Sequence, residues 1–242
     1  MKFATPLTEG IILKRYKRFL ADIQLPNGEV ITAHTANTGS MKTCWEPGWK
    51  ALISFHDNPK RKLKYSLEMT HNGQTWIGIN TSLPNKLAKE AIEKGLIKEL
   101  KGFPLIKPEV KTGDSRIDLL LSKEKEIQSK KDQFFVEIKN VTLKGAEQQE
   151  KAALFPDAVS ERGQKHIREL MRLYKEGYNA ALLFVIQRED VHYFSPAKEI
   201  DPTYSKLLEE AASLGVLILA YQCNMSKKEI VINKSLPVIL SN

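Results

Sequence analysis

The sequence predicts an α/β protein, α+β overall, with a small β-barrel at its N-terminus and a mixed-sheet α/β domain after it. In residues 1–80, short strand-like runs alternate with turn-forming residues, and no helical period of useful length intervenes. From Thr81 onward, amphipathic helical patterns alternate with continuous apolar runs. We therefore expect two domains, residues 1–80 and residues 81–242, in this chain of 242 residues.

Five strand-like runs fill the first predicted domain: GIILKRYKRFLADIQL, GEVITAHTA, WKALISFHD, KLKYSLEMTH and QTWIGIN. Turn-forming residues separate them, for example at 26–28, 37–39 and 58–59. Five short strands suggest a closed or partly open barrel, and the oligonucleotide-binding (OB) type is one candidate among several small barrels.

The second predicted domain mixes both kinds of element. Helical patterns are present in SLPNKLAKEAIEKGLIKEL, AVSERGQKHIRELMRLYKEG and DPTYSKLLEEAASLG, where Pro84 suits a first helical turn and Asp201 suits an N-cap. Strand patterns cover residues 105–110, 115–121 and 134–143 and the apolar runs AALLFVIQ and VLILAYQC. Strand–helix–strand order indicates crossover connections in a mixed sheet, and the charged residues 122–132 read as a solvated hairpin loop.

Charge and composition narrow the function classes. The formal net charge is +8 with a pI near 9.3, and residues 1–80 hold 11 Lys and Arg against 6 Asp and Glu. This balance permits a polyanionic partner. Cys44 and Cys223 match neither a disulfide framework nor a thiolate zinc site, and the five histidines match no ligand spacing. Without a membrane-length apolar stretch or a secretory signal pattern, a cytoplasmic protein is expected, with no membrane partner.

The run DQFFVEIKNVTL places two charged side chains inside an apolar strand. Alternation along a strand puts Glu137 and Lys139 on one face. The preceding strand pattern, SRIDLLL, is likewise interrupted by an acid, Asp118. If the two strands form a hairpin, their spacing of about 4.8 Å lets Asp118 and Glu137 converge on one point beside Lys139.

Such a set suits metal-dependent phosphodiester hydrolysis. Mg²⁺ or Mn²⁺ binds through one or two carboxylates plus substrate phosphate, and Lys139 would orient a nucleophile or stabilise developing negative charge. The alternative is that Glu137 and Lys139 form a structural salt bridge, or that they are two charged residues on a solvent-facing strand.

The D-x18-E-x-K arrangement of these residues resembles the active-site pattern of the PD-(D/E)xK nuclease superfamily, although Ile117 stands where the superfamily name has proline. The stretches KFATPLTEGIILKRYKRFLADI, NTGSMK, SRIDLLL, VEIKNVTL, FPDAVSERGQKHIREL, QREDV, FSPAKEIDPTY and GVLILAYQ together resemble the sugar fermentation stimulation protein A (SfsA) family. The resemblance covers nearly the whole chain. It implies an OB-like N-terminal domain, a PD-(D/E)xK nuclease-like C-terminal domain and association with DNA.

The resemblance also implies roles for individual residues. Asp118 would be the hairpin acid and a metal ligand, Glu137 the second ligand, and Lys139 the catalytic amine. The superfamily often adds an acid from the preceding helix, for which Glu90 is preferred to Glu93. Helices following the active-site strands commonly line the cleft, and two residues there are candidate DNA contacts: Gln164 and Lys165.

A second set of candidate DNA contacts lies in the basic N-terminal third: Lys14, Arg15, Arg18, Lys42 and Lys62. Cationic side chains bind phosphates with release of counterions, and interleaved aromatic rings stack on unpaired bases. On a single strand, alternation would divide the LKRYKRF cluster between two faces. The alternative is a basic surface that binds no ligand.

Three functions remain open from the sequence. The first is a DNA-binding protein of this family with a divalent-metal-dependent nuclease site. The second is a non-catalytic DNA-binding regulator of sugar-metabolism genes, as the family name suggests. The third is an RNA-binding or protein-binding module. The oligomeric state is not indicated by the sequence.

Overall fold

The computed structural model describes residues 1–124 and 129–240. Within these ranges the chain forms fifteen β-strands and three α-helices, together with short 3₁₀ turns. The middle of the expected charged loop, residues 125–128, lies outside the described residues. Each helix in the described residues is too short or too polar to cross a bilayer.

The N-terminal strands are β1 (Thr8–Tyr16), β2 (Leu20–Gln24), β3 (Val30–His34), β4 (Lys50–Phe55), β5 (Tyr65–His71) and β6 (Trp76–Gly78). They form one sheet in the order β3-β2-β1-β4-β5-β6, and a further parallel pairing of β3 with β5 closes β1 to β5 into a barrel. Alternate side chains, such as Ile12, Ile23 and Leu67, fill the interior. The OB-like barrel predicted from the sequence is confirmed.

The first strand-like run differs from the expectation. It folds as a hairpin of β1 and β2, because the chain reverses at Lys17 and Arg18, whose φ angles are 49° and 66°. The run is therefore two barrel strands, and LKRYKRF is not one extended segment. QTWIGIN supplies only β6, which is added to β5 at the edge of the sheet.

The rest of the chain supplies α1 (Pro84–Glu93), β7 (Leu105–Thr112), β8 (Ser115–Ser122), β9 (Gln133–Val141), β10 (Leu143–Lys144), β11 (Ala152–Phe155), α2 (Glu161–Lys175), β12 (Asn179–Ile186), β13 (Tyr193–Pro196), α3 (Pro202–Leu214), β14 (Leu217–Met225) and β15 (Ile230–Ser235). The main sheet has the order β15-β14-β12-β9-β8-β7. β7, β8 and β9 pair antiparallel, whereas β9, β12 and β14 pair parallel. The predicted mixed sheet is confirmed.

Both faces of this sheet are covered. Helix α1 packs Leu87 against one face, which includes Val136 and Leu183. Helices α2 and α3 pack against the other face, where Phe135 and Leu182 lie. This double coverage is why β9, β12 and β14 are nearly continuous apolar runs. The small sheet β10-β11-β13 and the edge strand β15 were not predicted from the sequence.

A buried polar network joins the barrel to the second domain. Arg188 is 1% exposed and binds Asp190 through two nitrogens, at 2.7 and 2.8 Å. The same guanidinium donates to the backbone oxygens of Thr142 in the second domain, at 2.8 Å, and Thr43 in the barrel, at 3.2 Å. Asn72 of the barrel donates to Asp190 at 3.1 Å. Because the Arg188 and Asp190 side chains are 1% and 8% exposed, breaking these bonds without replacement is costly, and the network holds the two domains together.

Candidate active site

Strands β8 and β9 separate where the sequence places its acids. Their ladder begins with Ser122 opposite Gln133 and ends with Leu119 opposite Val136. Asp118 follows at the point of separation, and its Oδ2 accepts a hydrogen bond from the backbone N–H of Ile138 at 2.8 Å. The carboxylate thus takes the place of a lost ladder bond.

Helix α1 fixes the other oxygen of the same carboxylate. The Nδ2 of Asn85 donates to Oδ1 of Asp118 at 2.8 Å. Asn85 lies in the first turn of α1, one residue after Pro84. Asp118 is therefore held in one orientation by β9 on one side and α1 on the other.

Glu137 and Lys139 lie on one face of β9, as alternation predicts. The Nζ of Lys139 donates to Oε1 of Glu137 at 2.5 Å. These side chains are 12% and 3% exposed, so they do not lie on a solvent-facing strand, but the salt bridge offered as the structural alternative is present between them. His166 of α2 completes the group, because its Nδ1 donates to the same Oε1 of Glu137 and lies 3.5 Å from the Lys139 amine.

The two carboxylates differ in electrostatic environment. Burial and the neighbouring charge of Glu137 raise the pKa of Asp118 above its ordinary value, although hydrogen bonds from Ile138 and Asn85 oppose the change. Burial also raises the pKa of Glu137, but hydrogen bonds from His166 and Lys139 and the Lys139 charge outweigh burial and lower it. Lys139 and His166 thus favour the ionised form of Glu137, and an added cation would lower the raised pKa of Asp118.

A divalent cation fits these residues. Oε2 of Glu137 is buried and accepts no hydrogen bond from the described residues, which is costly unless another ligand binds it. Carboxylate oxygens are the ligands that Mg²⁺ and Mn²⁺ prefer. Among the described residues, there is no group of three or more His, Cys, Asp or Glu side chains that could hold a metal ion. The protein would therefore supply two carboxylates, and water or phosphate oxygens would occupy the other positions.

The expectation for Glu90 is wrong. Its Oε2 binds the N-terminal amine of Met1 at 3.0 Å, and its Oε1 binds Lys94. Residues five apart on a helix are separated by about 140° around the axis, so Glu90 and Asn85 lie on different sides of α1. Glu90 lies near Val231 of β15, at the opposite edge of the sheet from β8. The alternative acid, Glu93, pairs with Lys89 at 3.8 Å and is exposed.

The α2 residues proposed as DNA contacts have structural partners. Gln164 donates through Nε2 to both carboxylate oxygens of Asp201, at 3.0 and 3.1 Å, and so joins α2 to the N-cap of α3. Its expected role as a free contact for DNA is therefore not supported. Lys165 is exposed and donates to the backbone oxygen of Asp114 at 3.1 Å, in the turn between β7 and β8.

Sequence reasoning missed two residues of the site, His166 and Asn85. His166 is buried in series with Leu170 and Leu173 on the inner face of α2. The i, i+4, i+7 spacing of these three residues was the signal that a histidine faces the sheet there. No comparable pattern marks Asn85.

The basic residues of the barrel are not equivalent. The Nη2 of Arg15 donates to the backbone oxygens of Arg18, Asn37 and Gly39 at 2.6, 3.1 and 3.0 Å, which makes Arg15 a structural link. Lys14 pairs with Asp22 at 3.2 Å. The remaining candidate DNA contacts of the barrel are exposed: Arg18, Lys42 and Lys62.

Two family models match the chain. Residues 13–79 match the SfsA N-terminal OB domain, and residues 82–229 match the sugar fermentation stimulation protein RE domain. Among solved structures, the chain is similar to the structure of Pyrococcus furiosus SfsA in complex with Ca²⁺, with 32% sequence identity and a TM-score of 0.85. That similarity covers 99% of this chain and 98% of the other.

Curated relatives agree over the full length. The chain is 51% identical over 241 residues to the sugar fermentation stimulation protein homolog of Geotalea daltonii, covering 99% of this chain and 100% of the relative. It is 48% identical over 239 residues to the homolog of Geotalea uraniireducens, covering 98% and 99%. The chain therefore belongs to the sugar fermentation stimulation protein (SfsA) family.

Proposed function

We propose that this chain is a divalent-metal-dependent phosphodiesterase that acts on nucleic acid, with DNA as the expected polymer. One observation carries the proposal. Asp118 and Glu137 lie beside Lys139 where β8 and β9 separate, and a buried oxygen of Glu137 lacks a partner among the described residues. The Ca²⁺ bound in the Pyrococcus furiosus relative supports a divalent cation in this fold, while Mg²⁺ and Mn²⁺ are the cations we expect here.

Each residue has a distinct role in this proposal. Asp118 and Glu137 hold the cation, which would supply Lewis-acid stabilisation to the phosphoryl oxygens. Lys139 donates hydrogen bonds to a non-bridging phosphate oxygen or to the attacking water, where negative charge develops. His166 is a positioning residue, because it contacts the Oε1 of Glu137 and leaves Oε2 to face the cation.

The barrel would bind the polymer. OB barrels bind oligonucleotides on one strand face and its loops. The exposed Lys42 and Lys62 would bind phosphates, with the release of counterions that makes such binding salt-dependent. Since the network around Arg188 holds the two domains together, a strand on the barrel would lie in a fixed relation to β9.

The test is incubation of the purified protein with plasmid DNA, single-stranded DNA and RNA, each with Mg²⁺, Mn²⁺ or chelator. The Lys139→Ala variant is the matched control for contamination. We expect metal-dependent cleavage by the wild type and a loss of about 10²-fold or more in the variant. Cleavage that persists with chelator, or that is equal in the variant, would contradict the proposal.

A second function is a nucleic-acid-binding regulator without turnover. The observation that favours it is the direct pairing of Lys139 with Glu137, which compensates the acid without a cation, together with two rather than three acidic ligands in the described residues. Fold alone does not establish catalysis. This candidate predicts salt-dependent DNA binding in every metal condition, with no cleavage. Equal binding of any polyanion would instead favour an RNA or protein partner.

A further inference from the structure

A cavity of about 270 Å³ lies between the barrel and the second domain. The barrel contributes the loop residues Asn37, Thr38 and Gly39, and the second domain contributes Asn140 and Asp157. Asn140 directly follows Lys139 on β9. The cavity wall and the proposed site of hydrolysis therefore meet along the backbone of β9, and none of the three site residues lines the cavity.

The loop that walls this cavity is tightly fixed. Arg15 binds the backbone oxygens of Asn37 and Gly39, and the hydroxyl of Ser40 donates to Asp157 at 3.2 Å. Further along, Met41 and Thr43 have φ angles of 52° and 62°, a conformation that residues with side chains adopt at a cost. Such backbone strain persists only where surrounding contacts enforce it, and it is concentrated at functional sites.

The absence of a side chain at Gly39 also determines the shape of the cavity. A Cβ at this position would come within 2.7 Å of Oδ2 of Asp157 and 3.1 Å of Oδ1 of Asn37. Glycine thus permits the loop to approach the second domain closely while the carboxylate of Asp157 keeps its position. The cavity wall depends on residues from both domains.

The residues that line the cavity favour a neutral ligand over an anionic one. It contains the carboxylate of Asp157, and none of the described residues that line it is Lys or Arg, so a phosphate is disfavoured. Asn37, Asn140 and Thr38 offer hydrogen-bonding groups, and Leu143 and Phe155 add apolar surface. Ligand pockets for drug-sized molecules range from roughly 300 to 1,000 Å³, so this cavity suits a single small heterocycle.

We propose that this cavity holds one unpaired nucleobase of the nucleic acid whose adjacent phosphate lies at Glu137 and Lys139; this inference rests on the proposed function. Asp157 accepts a hydrogen bond from an exocyclic amino group of the base, as carboxylates do with the amino group of cytosine. The protein therefore binds unpaired strands that carry cytosine or another amino base in preference to strands whose sugar lacks a base.

The test measures binding rather than cleavage, so that it is independent of turnover. Fluorescence anisotropy with Ca²⁺ compares two labelled single strands of equal length, one of deoxycytidines and one with abasic residues at its centre. Thr38, which is exposed at the cavity wall, is replaced by Trp to fill the space and by Ser as a matched control. Circular dichroism would check that both variants remain folded.

We expect the wild type and Thr38→Ser to bind the cytosine strand about tenfold more tightly than the abasic strand, and Thr38→Trp to bind both alike. An Asp157→Ala variant should also lose most of the preference. Equal binding of both strands by the wild type, or a preference that Thr38→Trp retains, would overturn the inference. If the preference is found but metal-dependent cleavage is not, the proposed function fails while the nucleobase site stands.

Discussion

The carboxylate of Asp118 accepts the backbone N–H of Ile138, the residue that separates Glu137 from Lys139. This single bond explains how an antiparallel pair can open without leaving an unpaired donor in the interior. It also places Asp118 beside the two charged residues of β9. The opening of the strands and the assembly of the site therefore have the same cause.

The first prediction concerns the second support of Asp118. Replacing Asn85 by Ala removes the donor to Oδ1 and leaves the bond from Ile138. Loss of an outer hydrogen bond of this kind typically weakens metal affinity 10- to 100-fold. We therefore expect the Mn²⁺ concentration required for cleavage to rise by the same factor. Lys86→Ala, at the exposed next position, is the control. An unchanged Mn²⁺ requirement in Asn85→Ala would show that α1 does not orient the acid.

The second prediction concerns the domain junction. Arg188→Met removes a buried guanidinium and leaves Asp190 with Lys144 and Asn72 as its partners. Removing one partner of a buried ion pair lowers the free energy of unfolding by about 3–5 kcal/mol. Replacing the exposed Arg172 by Met should lower it by less than about 1 kcal/mol. Urea denaturation measures both free energies of unfolding. Similar values for the two variants would contradict a structural role for the Arg188 network.

The third prediction is a pH dependence. Burial alone raises the pKa of Asp190, but hydrogen bonds and charge from Arg188, together with Lys144, lower it from 3.8 to about 2. Because the folded pKa lies below the unfolded value, this group stabilises the protein above pH 3.8, and the contribution disappears as the pH falls toward about 2.

The measurement compares urea unfolding of the wild type and Asp190→Asn from neutral to acidic pH. The wild type should be the more stable protein at neutral pH, and the difference should shrink across that acidic window. A difference that stays constant with pH would mean that the pKa of Asp190 is the same in the folded and the unfolded protein.

The fourth prediction tests nucleic-acid binding by the barrel. Each exposed lysine that binds a phosphate contributes about 0.9 to the slope of log affinity against log salt for duplex DNA, and about 0.7 for a single strand. Lys42→Ala and Lys62→Ala should each lower the slope by about that amount, as measured by anisotropy over a salt series. Lys206→Ala on the exposed side of α3 is the control. Equal slopes in all three variants would mean that these barrel lysines do not contact the polymer.

The grouping of Asp118, Glu137 and Lys139 could be predicted from the sequence because it depends on local geometry. Alternation places Glu137 and Lys139 on one face, and a hairpin brings Asp118 beside them, so strand periodicity was sufficient. The apolar runs of β12 and β14 and the N-cap at Asp201 were equally local signals.

The remaining parts depend on tertiary contacts. Glu90 was assigned to the site by its position on a helix, but the rotation of α1 over the sheet turns Glu90 toward β15 and Asn85 toward β8. Gln164 was taken for a surface contact because its partner, Asp201, lies 37 residues away. The β1–β2 hairpin was missed because its turn uses Lys17 and Arg18 rather than Gly or Pro.

Direct measurement of Mn²⁺ binding by electron paramagnetic resonance tests whether Asp118 and Glu137 form a divalent-cation site. We predict a bound cation in the wild type, its loss in an Asp118→Asn, Glu137→Gln double variant, and its retention in Glu90→Gln. Retention of the cation in the double variant, or its loss in Glu90→Gln, would show that the cation binds elsewhere.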